Sequence, residues 1–235
     1  MTDIEQPPSA DTAGPSHGLS ILLIALAVAS VFAVFLDSDL VNSLETGYAV
    51  TVQETVRDGH WLVPYQNGMP RDLKPPLPFW IGAAACLPFG DAAPIPILRT
   101  VSGVMAFLTA LCVYALGCSM FSRRAALVSA LAWATSYAAV YELRYARHDI
   151  YLTAAVALAV LGLWRVLERR RWGWTAAAVG LVLAFQVKGP VCWLLVIAPL
   201  AFYLGLYERS RWRIFLPIGG IMLASAALLG AWAAF

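Results

Sequence analysis

Charge is scarce in this sequence. Asp, Glu, Lys and Arg make up only 13 % of its 235 residues, and 60 % are hydrophobic. A soluble domain carries about 25 % and about 45–50 % respectively. With a mean hydropathy of +0.71, too little polar surface exists to cover a water-soluble globule. A net charge of +2 supplies no basic field for nucleic acid. Cysteine is sparse as well: Cys86, Cys112, Cys118 and Cys192 all lie in apolar runs without ligand spacing. That excludes a disulfide framework or a zinc module and leaves buried thiols. The three histidines, His17, His60 and His148, are too scattered for a metal centre of histidine ligands alone. Residues 1–18 contain no Lys or Arg, but hold Asp3, Glu5 and Asp11 among Pro, Ser, Ala and Gly. This reads as a disordered tail. Lacking a basic n-region, the apolar stretch behind it is a retained first span and not a secretory signal.

What remains is long apolar runs. A spanning helix needs about 20 such residues, with about 17–25 the usual range. Seven runs qualify: Leu19–Leu36, Thr100–Ser122, Ala125–Tyr141, Ile150–Trp164, Trp172–Val187, Gly189–Tyr207 and Ile214–Phe235. The fourth extends to Leu167 if Arg165 snorkels. An eighth run, Leu77–Gly90, has 14 residues and contains Pro78 and Pro88, which suits an interfacial or re-entrant helix. The fold class is therefore all-α integral membrane, with about seven spans.

Basic residues set the orientation. Nine of the sixteen fall in three short loops: Arg123 and Arg124; Arg165, Arg169, Arg170 and Arg171; Arg209, Arg211 and Arg213. If Leu77–Gly90 does not span, these loops share a cytoplasmic side, with the N-terminus. Asp37, Asp39, Glu45, Lys74, Asp149 and Lys188 then gather outside. In the large outer loop, Asn42 and Glu45 have capping-box spacing, and Tyr48, Val52 and Val56 recur every four residues before Gly59. A surface-lying amphipathic helix is expected there. Pro75 and Pro76 hold the preceding Lys74 in an extended segment.

Ionisable groups at membrane depth are expensive and usually functional. Taken singly, each here has a structural reading: Lys74 and Lys188 as snorkelling anchors, Arg144, Arg147 and Asp149 as a surface ion-pair cluster, Asp37 and Asp39 as interfacial charges. Together they supply carboxylates, which accept a proton from a hydroxyl, and cations, which stabilise a departing phosphate. Transfer of a group from a lipid phosphate to an alcohol needs both on one side.

The ordered motifs resemble a known family. They are Glu45-Thr46-Gly47-Tyr48-Ala49, Gly59-His60-Trp61-Leu62-Val63-Pro64, Asn67-Gly68, Lys74-Pro75-Pro76-Leu77 with Trp80, Phe89-Gly90, Arg99, Ala146-Arg147-His148-Asp149 and Lys188-Gly189-Pro190. Over residues 37–200 the sequence is similar to the membrane glycosyltransferases that include the lipid A aminoarabinose transferases, relatives of the protein O-mannosyltransferases. The resemblance implies inverting transfer of one sugar from a polyprenyl-phosphate donor to a lipid, glycan or protein acceptor. The reaction would take place at the outer, periplasmic face of a bacterial inner membrane.

By position, the resemblance puts Lys74 near the donor phosphate with Arg99, Arg147 and Lys188, and puts Asp39, Glu45 and Asp149 in the catalytic set. Two positions depart from the pattern. Leu44 stands where an Asp usually precedes Glu45, which leaves Asp39 and Asp149 as alternative bases. Leu73 stands where an acid often precedes the lysine. The resemblance fixes no cofactor and leaves a divalent metal open. Family members continue with more spans and a soluble outer domain, so residues 19–235 are expected to be the shared N-terminal module. A catalytically silent membrane subunit and a transporter or flippase-like carrier are the competing readings, although no internal repeat of the kind a carrier shows is evident.

Overall fold

The computed structural model describes residues 14–36, 43–71, 74–90 and 94–234. Most of the tail, together with Asp37, Asp39, Asn42 and Leu73, lies outside the described residues. Among the described residues ten α-helices follow in order: α1 His17–Phe35, α2 Ser43–Asp58, α3 Leu77–Cys86, α4 Ile95–Met120, α5 Arg123–Ala134, α6 Tyr137–Arg144, α7 His148–Leu167, α8 Trp172–Lys188, α9 Val191–Tyr207 and α10 Phe215–Ala233. The single small hairpin among the described residues pairs β1 Tyr65–Gln66 with β2 Met69–Pro70. The fold is all-α and built for a membrane. Segments His17–Val34, Ile95–Met120, His148–Leu167 and Arg209–Ala233 are long and apolar enough to cross one.

The span expected over Ala125–Tyr141 is not one helix. It breaks at Thr135-Ser136, where Thr135 caps α5 and the Ser136 hydroxyl accepts a hydrogen bond from Ala139 N to start α6. Serine offers the backbone this local alternative to helix continuation. At 12 residues, α5 rises about 18 Å, well short of a bilayer core.

The surface helix read from the Tyr48, Val52 and Val56 spacing is α2. Tyr48 and Val52 are fully buried against α3, and the helix stops at Gly59, whose φ of 73° suits glycine. Gly82 lets α3 approach: a Cβ there would run into the Tyr48 hydroxyl and Val52. The Tyr48 hydroxyl donates to Pro78 O at 2.9 Å and lies 2.9 Å from the Tyr151 hydroxyl. The outer loop is thereby tied to the first turn of α7.

Helices α7 and α8 form an antiparallel pair with backbone-close packing. A side chain at Gly162 would strike the α8 backbone at Ala177, and one at Gly180 the α7 backbone at Ala159. Small residues at a membrane interface permit this approach. The pair returns Lys188, the last residue of α8, to the level of Asp149 in the first turn of α7.

Candidate functional site

The site begins with a turn. Asn67 and Gly68 both have positive φ, 55° and 73°, the signature of a tight hairpin. Glu54 on α2 accepts from Asn67 N at 2.8 Å and Gly68 N at 3.2 Å. Fixing the hairpin aims its exit strand, so Arg71 N meets Pro64 O at 2.8 Å and the Arg71 guanidinium sits 5.3 Å from the Phe79 ring centre. Lys74 follows at a bend before Pro75 and Pro76, and α3 begins at once, with Pro78 in its first turn where a missing N–H costs nothing.

A cavity of about 360 Å³ opens among these elements, lined by Leu44, Arg71, Lys74, Pro75, Arg147, His148, Asp149, Val187 and Lys188. Both lysines of the chain are there. Among the described residues, four cations face one carboxylate. Lys188 Nζ is ion-paired with Asp149 Oδ1, and Arg147 reaches Asp149 Oδ2 at 3.4 Å and Glu142 Oε1 at 3.5 Å. Lys74 has no hydrogen-bond or ion-pair partner among the described residues. Burial and, after it, the Arg71 charge push the Lys74 amine below its ordinary value, with Asp149 pulling the other way. Burial alone lowers Arg71. Such a site favours an incoming anion, which relieves the repulsion among the cations.

Lys74, Arg147, Asp149 and Lys188 thus converge, as their placement on one side of the sequence map anticipated. Glu45 and Arg99 do not join them. Their side chains are 0 % and 1 % exposed, and Arg99 Nε and Nη2 grip the two Glu45 oxygens at 2.8 and 3.0 Å. Glu45 Oε1 also accepts from Ala146 N at 3.1 Å, and Arg99 Nη1 donates to Leu36 O at 3.3 Å. The pair fastens α2, α4, the end of α1 and the turn before α7. The capping partner read for Glu45, Asn42, lies outside the described residues; the partner the structure describes for Glu45 is Arg99.

Three residues of the site escaped the sequence reading. Arg71 is a cavity cation, and its position three residues before Lys74, just after the hairpin signal, was the available clue. Leu44 contributes an apolar wall. His148 packs edge-on against Tyr48 and Phe79, with ring centres 5.2 and 4.9 Å away, and its buried Nε2 has no hydrogen-bond partner. No group of three His, Cys, Asp or Glu side chains among the described residues is arranged to hold a metal ion.

Beside this polar cavity lies an apolar one of about 390 Å³, walled by α3, α4, α7 and α8 and including Leu77, Leu108, Tyr151 and Leu158. Val187 lines both. A charged chamber sharing a wall with a hydrocarbon-like groove suits an amphiphile with an anionic head.

Comparison with known proteins agrees. The model of the family described as dolichyl-phosphate-mannose-protein mannosyltransferase matches residues 73–232. An uncharacterized protein of Aquifex aeolicus is 35 % identical over 208 residues, 86 % of this chain and 46 % of that protein. Undecaprenyl phosphate-alpha-4-amino-4-deoxy-L-arabinose arabinosyl transferase 1 of Pseudomonas fluorescens is 28 % identical over 194 residues, 79 % of this chain and 34 % of that enzyme. The crystal structure of ArnT from Cupriavidus metallidurans in the apo state superposes with a TM-score of 0.78 at 21 % identity, over 93 % of this chain and 42 % of ArnT. The same protein bound to undecaprenyl phosphate gives 0.72 at 20 %. The chain spans less than half the length of these relatives.

Proposed function

The chain belongs to the dolichyl-phosphate-mannose-protein mannosyltransferase family, and from that premise we propose that its cavity holds the phosphate of a polyprenyl-phosphate sugar for transfer of the glycosyl group to an acceptor hydroxyl. The carrying observation is the junction at Val187 of a four-cation chamber with an apolar groove. The phosphate fits the first and the first isoprene units the second. In this reading Lys74, which has no ion-pair partner among the described residues, meets the phosphate together with Arg71, Arg147 and Lys188. The acceptor oxygen attacks the anomeric carbon from the face opposite the phosphate, so the new C–O bond forms as the bond to the phosphate oxygen breaks, inverting the centre. Asp149 takes the hydroxyl proton, and the polyprenyl phosphate departs with the bonding electron pair. Lipid, glycan and protein acceptors are all compatible, and the periplasmic face of the inner membrane is the proposed location.

A specific observation favours the silent-subunit reading as second. Leu44 lines the cavity where the family pattern has an Asp, and Asp149, the one carboxylate lining it among the described residues, is held by Lys188 and Arg147. A chain of this kind would bind the donor without turning it over.

Titration of the chain in phospholipid nanodiscs with undecaprenyl phosphate tests the shared premise, and sugar transfer by the longest natural form separates the two readings. Lys74→Ala should weaken binding about tenfold, the scale of one charge-assisted contact. Asp149→Asn should leave binding within a few-fold and remove transfer, the loss of a general base being about 10²–10⁴. Because the Lys74 pKa is lowered, its charge is present below that value and lost as pH rises through it. Binding by the parent chain should therefore fade on the alkaline side below the ordinary lysine range of about 10.4, and Lys74→Arg should abolish that fade. Parent-level binding by Lys74→Ala across the whole range would remove the donor-phosphate assignment.

A further inference from the structure

We propose that Glu142 is a positioning residue that holds Arg147 open for a lipid phosphate. The inference deepens the donor-phosphate reading and rests on it. Arg147 precedes α7 in extended conformation, φ −120° and ψ 160°. Its guanidinium is held at three points: Nη1 to Glu142 Oε1 at 3.5 Å, Nη2 to Asp149 Oδ2 at 3.4 Å, and the Tyr141 ring, whose centre is 5.5 Å from Cζ. Fully formed charge-assisted bonds run about 2.7–2.9 Å. Arg147 is therefore stretched between two carboxylates and closed on neither.

Asp149 already gives its other oxygen to Lys188. Without Glu142, Arg147 loses the one carboxylate among the described residues that draws it away from Asp149. The closed pair would withdraw the Arg147 charge from an incoming phosphate and occupy both oxygens of the carboxylate. Glu142 is absent from the cavity lining, so its influence passes through Arg147.

A second observation argues against a purely structural role. Glu142 Oε2 is buried with no hydrogen-bond partner among the described residues, an arrangement that costs stability. The charges acting on Glu142 are those of Arg147, Asp149 and Lys188. The helices α1, α4 and α5 that pack on α6 contribute none. Burial raises the Glu142 pKa, which gives a pH readout: the tether is present above that value and lost as pH falls through it.

The test uses the whole chain in phosphatidylcholine nanodiscs with undecaprenyl phosphate as probe. Glu142→Gln is expected to weaken binding about five- to tenfold and Arg147→Gln about tenfold. The double variant should be no weaker than Arg147→Gln alone, the mark of action through a shared partner. Glu142→Asp, which keeps the charge, should recover most of the loss and keeps the test decisive if the glutamine variant misfolds. The parent should lose affinity on the acid side above the ordinary glutamate range, and Glu142→Gln should lack that inflection. Unchanged or tighter binding by Glu142→Gln, or losses that add in the double variant, overturns the proposal. Failure of the parent itself to bind undecaprenyl phosphate overturns both this inference and the reading beneath it.

Discussion

Glu45 shows how one residue supports two very different arguments. From its motif it belongs to the catalytic set; by its surroundings it is half of a bidentate pair with Arg99, sealed from solvent. Removing one member of such a pair strands a charge and typically costs about 3–5 kcal/mol. Glu45→Gln should therefore lower the unfolding temperature of the chain in detergent markedly, while the fraction that remains folded binds undecaprenyl phosphate normally. Lys74→Ala should show the reverse, normal stability with weakened binding. A stable Glu45→Gln chain that cannot bind would return Glu45 to the donor site. Residues like Lys74, Asp149 and Lys188 were legible because each is an ionisable group at the end of an apolar run, where hydration has to be given up for a reason. Glu45 and Arg99, 54 residues apart, find each other only once α2 and α4 pack. No local spacing records that contact.

At the scale of elements, the same division holds. Apolar length located α1, α4, α7, α8, α9 and α10 within a few residues, because burial of a whole helix surface in hydrocarbon leaves an unbroken hydrophobic run. It missed the break between α5 and α6, since a serine hydroxyl that caps a helix is nearly as apolar by composition as one inside it. Nor did it show which helices touch. That information sits in the glycines, read only against a partner. Gly180 faces the α7 backbone at Ala159 with no room for a Cβ, while Gly219 on α10 has nothing within 4 Å. Gly180→Ala should destabilise the chain by about 1–3 kcal/mol, the usual cost of overpacking. It should also loosen the Lys188–Asp149 contact at the open end of the hairpin, weakening lipid-phosphate binding. Gly219→Ala should be neutral or slightly stabilising, since alanine is the better helix former. Thermal unfolding in detergent compares the two. Equal effects would mean that α7 and α8 are not held at backbone distance.

For the whole molecule, the helices place the arginine-rich turns opposite the cavity. From Asp149 to the Arg169–Arg171 turn the chain follows the 20 residues of α7, about 30 Å of rise and so about one hydrocarbon core. Helix α8, 17 residues long, then returns about 26 Å to Lys188, and the Lys188–Asp149 ion pair closes the circuit. Arg123 and Arg124 open α5 after the 26 residues of α4, and Arg209, Arg211 and Arg213 lie in the 3₁₀ turn between α9 and α10. Those eight arginines, with Arg165, share one end of the bundle, and the hairpin, Lys74 and the cavity share the other. The excess of positive charge marks the cytoplasmic side, so the cavity is expected to face outward with His60. In a chain freed of its four cysteines, His60→Cys should react with a membrane-impermeant maleimide in intact cells, and Arg170→Cys should react only after the membrane is opened. Reaction of both from outside would require α3 to cross the bilayer. Lys74 would then leave the side of Asp149, and the shared cavity could not exist in the membrane.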